Sequence, residues 1–363
     1  MVMLLKKMFS LVALPDIVYK EILYHQYVAN TMCYRIYNGE PFKELIDNAL
    51  SVYLTDEEKR DRVFVKTLVK DIIYSQLKYK MKPNEYFNFD FRYKNKLERK
   101  TYISDQQRVE LLLKLNGEKR KYELRDKYVF YNLARPFFKR RVFHLEEHTD
   151  FASFANFCLS VGQIFCKPNK GAMGVGICSY TIVDKSSAHS IYEHLLKESA
   201  DWIIEEAITQ GKELSEWNDT SINTVRFPSF LRDGKFIAYY PKIRVGRKGQ
   251  IVDNFAQGGM IALIDDKTGI ISTDAYTKAN KLIAKHPDSG KPFKGEQIPY
   301  WDDLVKYAES LHRSMPQHVY VAWDFAYTNK GWDIVEANWG QLGSTQMMLG
   351  RGIKNEFEKL AKM

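Results

Sequence analysis

The sequence lacks the paired cysteines of a disulfide scaffold. Its four cysteines, Cys33, Cys158, Cys166 and Cys178, show no CxxC spacing and sit mostly in apolar runs, so buried free thiols in a reducing cytosol are expected. A long hydrophobic run is also missing. After Lys6-Lys7 the apolar stretch is only seven residues, Met8 to Leu14, against the roughly 20 that a membrane span requires. No small-residue cleavage site follows it, so it reads as the start of an amphipathic helix rather than a signal peptide. Peripheral membrane contact is the one membrane reading left open. There is no GxxxxGK[ST] and no HRDxxxxN, which sets aside a Walker P-loop and a protein kinase. No internal repeat, low-complexity linker or convincing nucleophilic triad is found.

What is present suits a globular chain. The 363 residues, 45% of them apolar, are enough for two or three subdomains with a sizeable core. The net charge of +9 points to an anionic partner: nucleotide, nucleic acid, polyanion or membrane surface. From Arg92 to Arg141 there are 16 Lys/Arg against 6 Asp/Glu. Interleaved aromatics make nucleic-acid binding conceivable, but a solvated helical face near a phosphate site is the plainer reading, and no nucleic-acid partner is expected.

The first 80 residues read as helical, in periodic stretches such as "DIVYKEILYHQYVANTMCYRIY" with no proline between Pro15 and Pro41. We place a helical N-terminal region at about 1–100. "KPNEYFNFDFRYKNK" (82–96) breaks the pattern and reads as a surface segment. After about residue 140 come short strands and turns, with helices expected at 185–200 and 301–313. This is α+β mixing without βαβ repetition.

Several motifs could carry chemistry. "IFCKPNKGAMGVGICSY" (164–180) sets Lys167 at the end of an apolar strand, followed by Gly171, Gly174 and Gly176. Glycines let backbone N–H groups approach a phosphate, and lysine adds charge; a tight hairpin is the plain alternative. Upstream, Lys127 lies just inside an apparent helix with Asp126 near its start, which also suits an ordinary first-turn charge. "DWIIEEAITQGKE" is an apolar strand ending in two acids, an edge that could meet a purine, with Glu213 able to reach a ribose hydroxyl. "HLEEH" (144–148) matches an inverted zinc motif, but it lies before an N-cap at Thr149 or Asp150 and reads as a charged connection.

The stretch "WDFAYTNKGWDIVEANWG" (323–340) places acids in otherwise apolar strands. If Asn329-Lys330-Gly331 is a three-residue hairpin loop, Gly331 takes a left-handed conformation. Asp324 then falls opposite Glu336, with Asn338 two residues on along the same face. Opposed acids repel unless a cation lies between them, and three oxygen groups without His or Cys suit Mg²⁺. A half-exposed hairpin with a polar outer face is the structural alternative.

Taken in order, these features resemble the ATP-grasp superfamily, and more closely the sugar-transfer-associated ATP-grasp family. The resemblance covers roughly residues 85–350 and rests on "SINTVRF" (221–227), "VDNFAQGG" (252–259), "HPDSGKPFKGEQIP" (286–299) and the late hairpin. It implies an ATP-grasp fold over 101–363, with a small Gly-loop subdomain at about 150–207 and a metal-binding subdomain at about 208–350. On that resemblance Lys127 and Lys167 bracket the ATP phosphates under the 169–176 loop. Glu205, Glu206, Ala207 and Ile208 form the adenine hinge, and Glu213 binds ribose. Asp324 and Glu336 hold one Mg²⁺, and Glu336 with Asn338 a second, with Mn²⁺ as a substitute. Arg226 is expected to stabilise the acceptor anion, with Lys242 and Arg244 as rivals. Many ATP-grasp enzymes carry an arginine two residues before the first metal acid; here that position is Ala322.

The implied activity is an ATP-dependent carboxylate–amine ligase working through an acyl phosphate, in the cytoplasm or at the inner face of the membrane. Its partners would be a small-molecule or glycan carboxylate and an amine, within the chemistry of a cell-surface polysaccharide. The alternatives are an ATP-grasp phosphotransferase acting on a hydroxyl and a non-catalytic nucleotide-binding protein. No oligomeric state can be read from the residues.

Overall fold

The computed structural model describes residues 15–29, 35–36, 39–171, 174–250, 253, 258–277, 281–340 and 342–362. Outside them lie the N-terminal apolar run, Cys33, residues 172–173 of the glycine loop and most of 252–259. The chain is α+β, as expected, and divides into two compact units. Among the described residues no helix is long and apolar enough to cross a membrane.

One unit is drawn from 1–111 and 341–358. Its helices Asp16–Ala29, Phe42–Tyr53 and Arg62–Tyr79 form where the sequence is periodic. Asp61 caps the last of these by accepting the N–H groups of Val63 and Phe64. Segment 82–96 departs from the surface role expected of it. Pro83 opens a short helix, Pro83–Asn88, and Tyr86, Phe87, Phe89 and Phe91 are buried. The Phe91 ring meets Tyr79 and Tyr102 edge-on at 6.0 and 5.4 Å between centroids, so aromatic packing outweighs the turn-forming residues around it. Nor is the basic run uniformly solvated: Arg99, Arg108 and Arg140 are buried. Within this unit Arg99 reaches Asp71 through two bonds of 3.0 and 2.7 Å, and the Tyr86 hydroxyl donates to the same carboxylate at 2.6 Å.

The other unit, drawn from 112–340 and 359–363, holds two antiparallel sheets. The smaller contains β1 (Val142–Glu146), β2 (Gln163–Pro168), β3 (Cys178–Thr181) and β4 (Asp201–Glu206) in the order β1-β4-β2-β3. Helices Phe151–Val161 and Lys185–Glu198 form one core with it. Phe154, Cys158, Ala188 and Leu195 cluster there with Leu145, Ile164, Cys166 and Ile204. Strand alternation turns Lys167 to the face opposite Cys166. "HLEEH" spans the end of β1 and a turn, with the His144 ring 2.8 Å from Asp201, and Asp150 caps the helix that follows.

The larger sheet has eight strands. These are β5 (Thr224–Arg232), β6 (Lys235–Ala238), β7 (Lys242–Val245), β8 (Met260–Leu263), β9 (Ala275–Tyr276), β10 (Leu282–Ile283), β11 (Tyr320–Thr328) and β12 (Gly331–Asn338). Their order is β10-β9-β8-β7-β5-β11-β12, with β6 paired to β5. Helix Trp301–Ser314 buries Trp301, Leu304, Ala308 and Leu311, with Trp301 lying 5.7 Å from Phe227 of β5. Adjacent strands β7, β5, β11 and β12 therefore carry Lys242, Arg226, Asp324 and Glu336.

Candidate active site

The β11–β12 hairpin pairs Asp324 with Glu336 and Ala322 with Asn338, the facing expected from sequence. The route to that register differs. The turn holds two residues, Asn329 and Lys330, and Thr328 opposes Gly331, so an unbroken ladder would offset the acids by one residue. A bulge at Val335, between the pairs Asp324–Glu336 and Phe325–Ile334, restores it. Gly331 sits at φ 85°, a conformation that favours glycine.

Arg140 secures this bulge from within. Its guanidinium donates to the carbonyl oxygen of Ile334, to that of Val335 at 3.3 Å and to the Asp333 carboxylate at 2.9 Å. It also makes two 3.0 Å bonds to Glu205, and Lys167 approaches Glu205 at 2.8 Å. Burial pushes the Glu205 carboxyl up, but Arg140 and Lys167 outweigh it and hold the group down to about 2. The Glu205 side chain is thus the hub of an ion-pair chain beneath Lys167. Glu206 accepts from the Arg141 N–H at 3.1 Å. Backbone at Ile208 lies between two ladder contacts, Ala207 N–H to Gln163 O and Asn329 N–H to Thr209 O. Glu213 follows on the short helix Lys212–Ser215, close to the Tyr327 ring packed on Gly211.

Lys127 begins helix Lys127–Ala134, capped by Asp126. Its ammonium donates to the carbonyl oxygens of Pro168, Asn169 and Gly171 at 2.8, 3.3 and 3.1 Å, which ties it to the root of the glycine loop. Asn169 completes the tie: its Oδ1 accepts the Tyr128 N–H at 2.9 Å and its Nδ2 donates to Asp201 at 3.1 Å. Burial lowers the Lys127 pKa, opposed first by the nearby Glu336 carboxylate. Gly174 and Gly176 take φ of 74° and 75°, and a Cβ on Gly176 would stand 3.0 Å from the Pro168 ring.

Asp324 is 1% exposed. Arg226, its cross-strand partner on β5, reaches it through bonds of 2.7 and 2.5 Å. Arg244 adds a third at 2.8 Å and donates to Asp253 at 2.9 Å. Asp253 also accepts the Thr224 N–H at 3.1 Å. Burial opposes ionisation of Asp324, yet the two guanidinium groups keep its carboxyl low. Glu336 moves the other way, raised by burial and by the Asp324 charge, with the two carboxyl groups within hydrogen-bonding reach. The site encloses the carboxyl end of Glu336, with Arg226 3.9 Å away, but its side chain as a whole is 44% exposed, so solvent and ligands can reach it. Asn338 Oδ1 accepts the Gly340 N–H at 2.6 Å. Lys242, 2% exposed and in register with Arg226, is pushed down to about 7 by burial and then by the Arg226 and Arg244 charges. Ala322 is fully buried, and a Cβ on Gly340 would meet its Cβ at 2.5 Å. The cations beside Asp324 come from β5 and β7 instead.

The structure thus gathers Lys127, Lys167, Glu205, Arg226, Arg244, Asp324 and Glu336 into one charged network. Among the described residues no group of three or more His, Cys, Asp and Glu comes together for a metal; the oxygen set is two acids and an amide. Sequence reasoning missed Arg140, Asn169, Asp253 and Asp333. Arg140 was hidden in a basic run, while Asp253 stood inside "VDNFAQGG", which had been singled out without a role.

No curated protein matches this chain. Solved structures similar to it include a D-alanyl-alanine synthetase A from Vibrio cholerae, 14% identical over 66% of this chain and 64% of that one, with a TM-score of 0.42. A D-alanine–D-alanine ligase from Coxiella burnetii is 9% identical over 66% and 57%, with a TM-score of 0.42. A D-Ala:D-Ser ligase from Enterococcus faecalis is 14% identical over 66% and 62%, with a TM-score of 0.41. The match spans less than two thirds of each of these proteins. The family model for sugar-transfer associated ATP-grasp proteins matches residues 106–362, well over half the sequence, and the chain belongs to that family.

Proposed function

We propose that the protein is an ATP-dependent ligase that joins a carboxylate to an amine through an acyl phosphate. Family membership implies ATP use. The observation that carries the rest is the placement of Arg226, Lys242 and Arg244 beside the facing acids Asp324 and Glu336. The Arg226 and Arg244 guanidinium groups, which stay charged, would draw in an anionic acceptor and steady charge as it develops.

The residues fit magnesium. Burial and the Asp324 charge push Glu336 up, a conflict that a divalent cation relieves, and the donors are oxygen only. Asp324 and Glu336 would hold one ion and Glu336 with Asn338 a second, with Mn²⁺ able to substitute. A metal held by these residues would supply positive charge against the transferred phosphoryl group.

The chain's own residues bind and orient. Lys127 and Lys167 meet the phosphates together with backbone N–H groups near Gly171, Gly174 and Gly176. Glu205 holds Lys167 in place, Glu206 to Ile208 border the adenine, and Glu213 takes a ribose hydroxyl. Arg226 orients the acceptor carboxylate, flanked by Lys242 and Arg244. A carboxylate oxygen attacks the γ-phosphorus and ADP departs. An amine then attacks the acyl carbon and phosphate leaves. The glycine loop shields the acyl phosphate from water. The acceptor class we favour is a uronic acid of a cell-surface polysaccharide or its sugar precursor, in keeping with the sugar-transfer association of the family.

The test is release of ADP and inorganic phosphate from a panel of carboxylates and amines. Dependence on both substrates supports the ligase. A stable phosphorylated product without free phosphate would point to hydroxyl phosphotransfer, and no ADP across a broad panel would count against catalysis.

A further inference from the structure

Cys166 and Cys178 have no part in the ligase chemistry, yet they stand directly opposite each other on β2 and β3, the strands that enter and leave the glycine loop. Opposed residues project to the same face, here the face packed by helices Phe151–Val161 and Lys185–Glu198. The Ile182 N–H donates to Gly162 O at 2.7 Å. That bond fixes the parity of the ladder, and Cys166–Cys178 is one of its hydrogen-bonded pairs. Such pairs have Cα atoms about 5.5 Å apart, within the roughly 4.4–6.8 Å that a disulfide spans. The two thiols interact closely enough in the reduced chain for each to shift the other's pKa.

We propose that Cys166 and Cys178 form a thiol modification site, closing a reversible disulfide across the root of the glycine loop. The pair is asymmetric in the way such chemistry requires. Cys166 is fully buried, whereas Cys178 is only partly so. Cys178 accepts from the Cys166 thiol and lies near the Tyr180 hydroxyl and His194, all of which lower its pKa against the opposing effect of burial. Cys178, the thiol an oxidant can reach, is the nucleophile, and the fully buried Cys166 is the resolving thiol. With hydrogen peroxide as oxidant, the Cys178 thiolate attacks one oxygen and the O–O bond breaks. The hydroxide released takes up a proton, leaving a sulfenic acid and one water. Cys166 sulfur then attacks Cys178 sulfur and the S–O bond breaks. The second hydroxide combines with the Cys166 proton. Two thiols and one peroxide become one disulfide and two waters.

The bond has a mechanical consequence. Cβ atoms of a hydrogen-bonded pair lie near the upper end of about 4.5–5.5 Å, while a disulfide draws them to about 3.8 Å. Closing it pulls β2 and β3 together beside Lys167, Asn169 and Gly176. A disulfide closed under such strain is readily reduced, as suits a reversible site.

The experiment treats the full chain with hydrogen peroxide, maps linked peptides by mass spectrometry, and repeats both steps for Cys178→Ser and Cys158→Ser. The expected result is a Cys166–Cys178 linkage in the parent and in Cys158→Ser, absent from Cys178→Ser and reversed by dithiothreitol. Oxidation should also abolish the rise in melting temperature produced by MgATP in the reduced protein. Free Cys166 and Cys178 after peroxide, or a linkage of Cys166 to Cys158, would overturn the proposal. The linkage map reads the bond without nucleotide, so a reduced protein that ignores MgATP speaks against the ligase reading and leaves this test intact.

Discussion

Arg226 and Asp324 face each other across β5 and β11, and the guanidinium holds both carboxylate oxygens, at 2.7 and 2.5 Å. With Arg244 on the same carboxylate, Asp324 keeps its charge despite burial, and Glu336 beside it carries the electrostatic penalty. The two acids of the hairpin are therefore unequal. One is clamped and ionised; the other is open and poised to change partners.

That inequality makes Glu336 the cleaner position to probe. Glu336→Gln keeps the shape, removes a charge that repels Asp324, and should leave the melting temperature unchanged or raised. Under the proposed mechanism, Mg²⁺-dependent ADP release should fall by about 10²–10³-fold, the scale seen when one electrostatic stabiliser is removed. A coupled ADP assay beside a thermal melt measures both. A variant that turns over at the parent rate would sink the metal assignment.

Arg140 should matter more for stability than any surface arginine. It satisfies Glu205, Asp333 and the bulge carbonyls at once, so Arg140→Met takes the ion-pair partner from buried Asp333 and leaves Glu205 with Lys167 alone. Breaking a buried ion pair from one side costs about 3–5 kcal/mol. Urea unfolding should show a clearly lower midpoint, with Arg140→Lys intermediate because a compact ammonium lacks the planar five-donor reach with which the guanidinium spans these partners. An unshifted midpoint in Arg140→Met would mean that the network is not a source of stability.

Gly340→Ala tests the packing that excludes an arginine from position 322. The residue has φ 49°, and its added Cβ would sit 2.5 Å from that of Ala322. A left-handed alanine alone costs roughly 1–2 kcal/mol, and the clash adds to it. Because the Gly340 N–H donates to Asn338, the variant should also weaken magnesium dependence, read as a higher Mg²⁺ concentration at half-maximal ADP release. Parent-like stability and magnesium response together would refute both points.

The acids of the hairpin were legible in the sequence because polar residues in a two-residue repeat of buried strand demand a reason, and one face was enough to fix which residues meet. The turn was harder. A three-residue loop and a two-residue loop with a bulge place Glu336 at the same point, and Val335, an ordinary strand residue, carries no mark of the bulge. What selects the bulge is Arg140, distant in sequence and embedded in Lys139-Arg140-Arg141, where composition cannot say which of three cations turns inward. Segment 82–96 failed for a related reason. Proline and asparagine there signal breaks in the chain path, but they say nothing about where Tyr86, Phe89 and Phe91 point.

His312 offers a pH test of the sheet that carries the site. Its Nδ1 lies 2.8 Å from the Ser229 hydroxyl and its Nε2 2.8 Å from the His318 carbonyl oxygen, while the Trp323 indole N–H donates to Ser229 at 2.8 Å. These bonds are met by a neutral ring with its proton on Nε2, and burial pushes the pKa from 6.5 down to about 4. The sign follows from linkage. Between about 4 and 6.5 the unfolded chain binds more protons at this position than the folded one, so stability rises with pH through that window. The contribution is complete above the unfolded value and lost as pH falls through the folded one. Comparing urea midpoints of the parent and His312→Gln from pH 7 to pH 4 isolates it. The parent should lose its advantage over the variant steadily as pH drops from 6.5, because glutamine does not titrate. A difference that stays constant across that range would show that His312 is not held neutral in the fold.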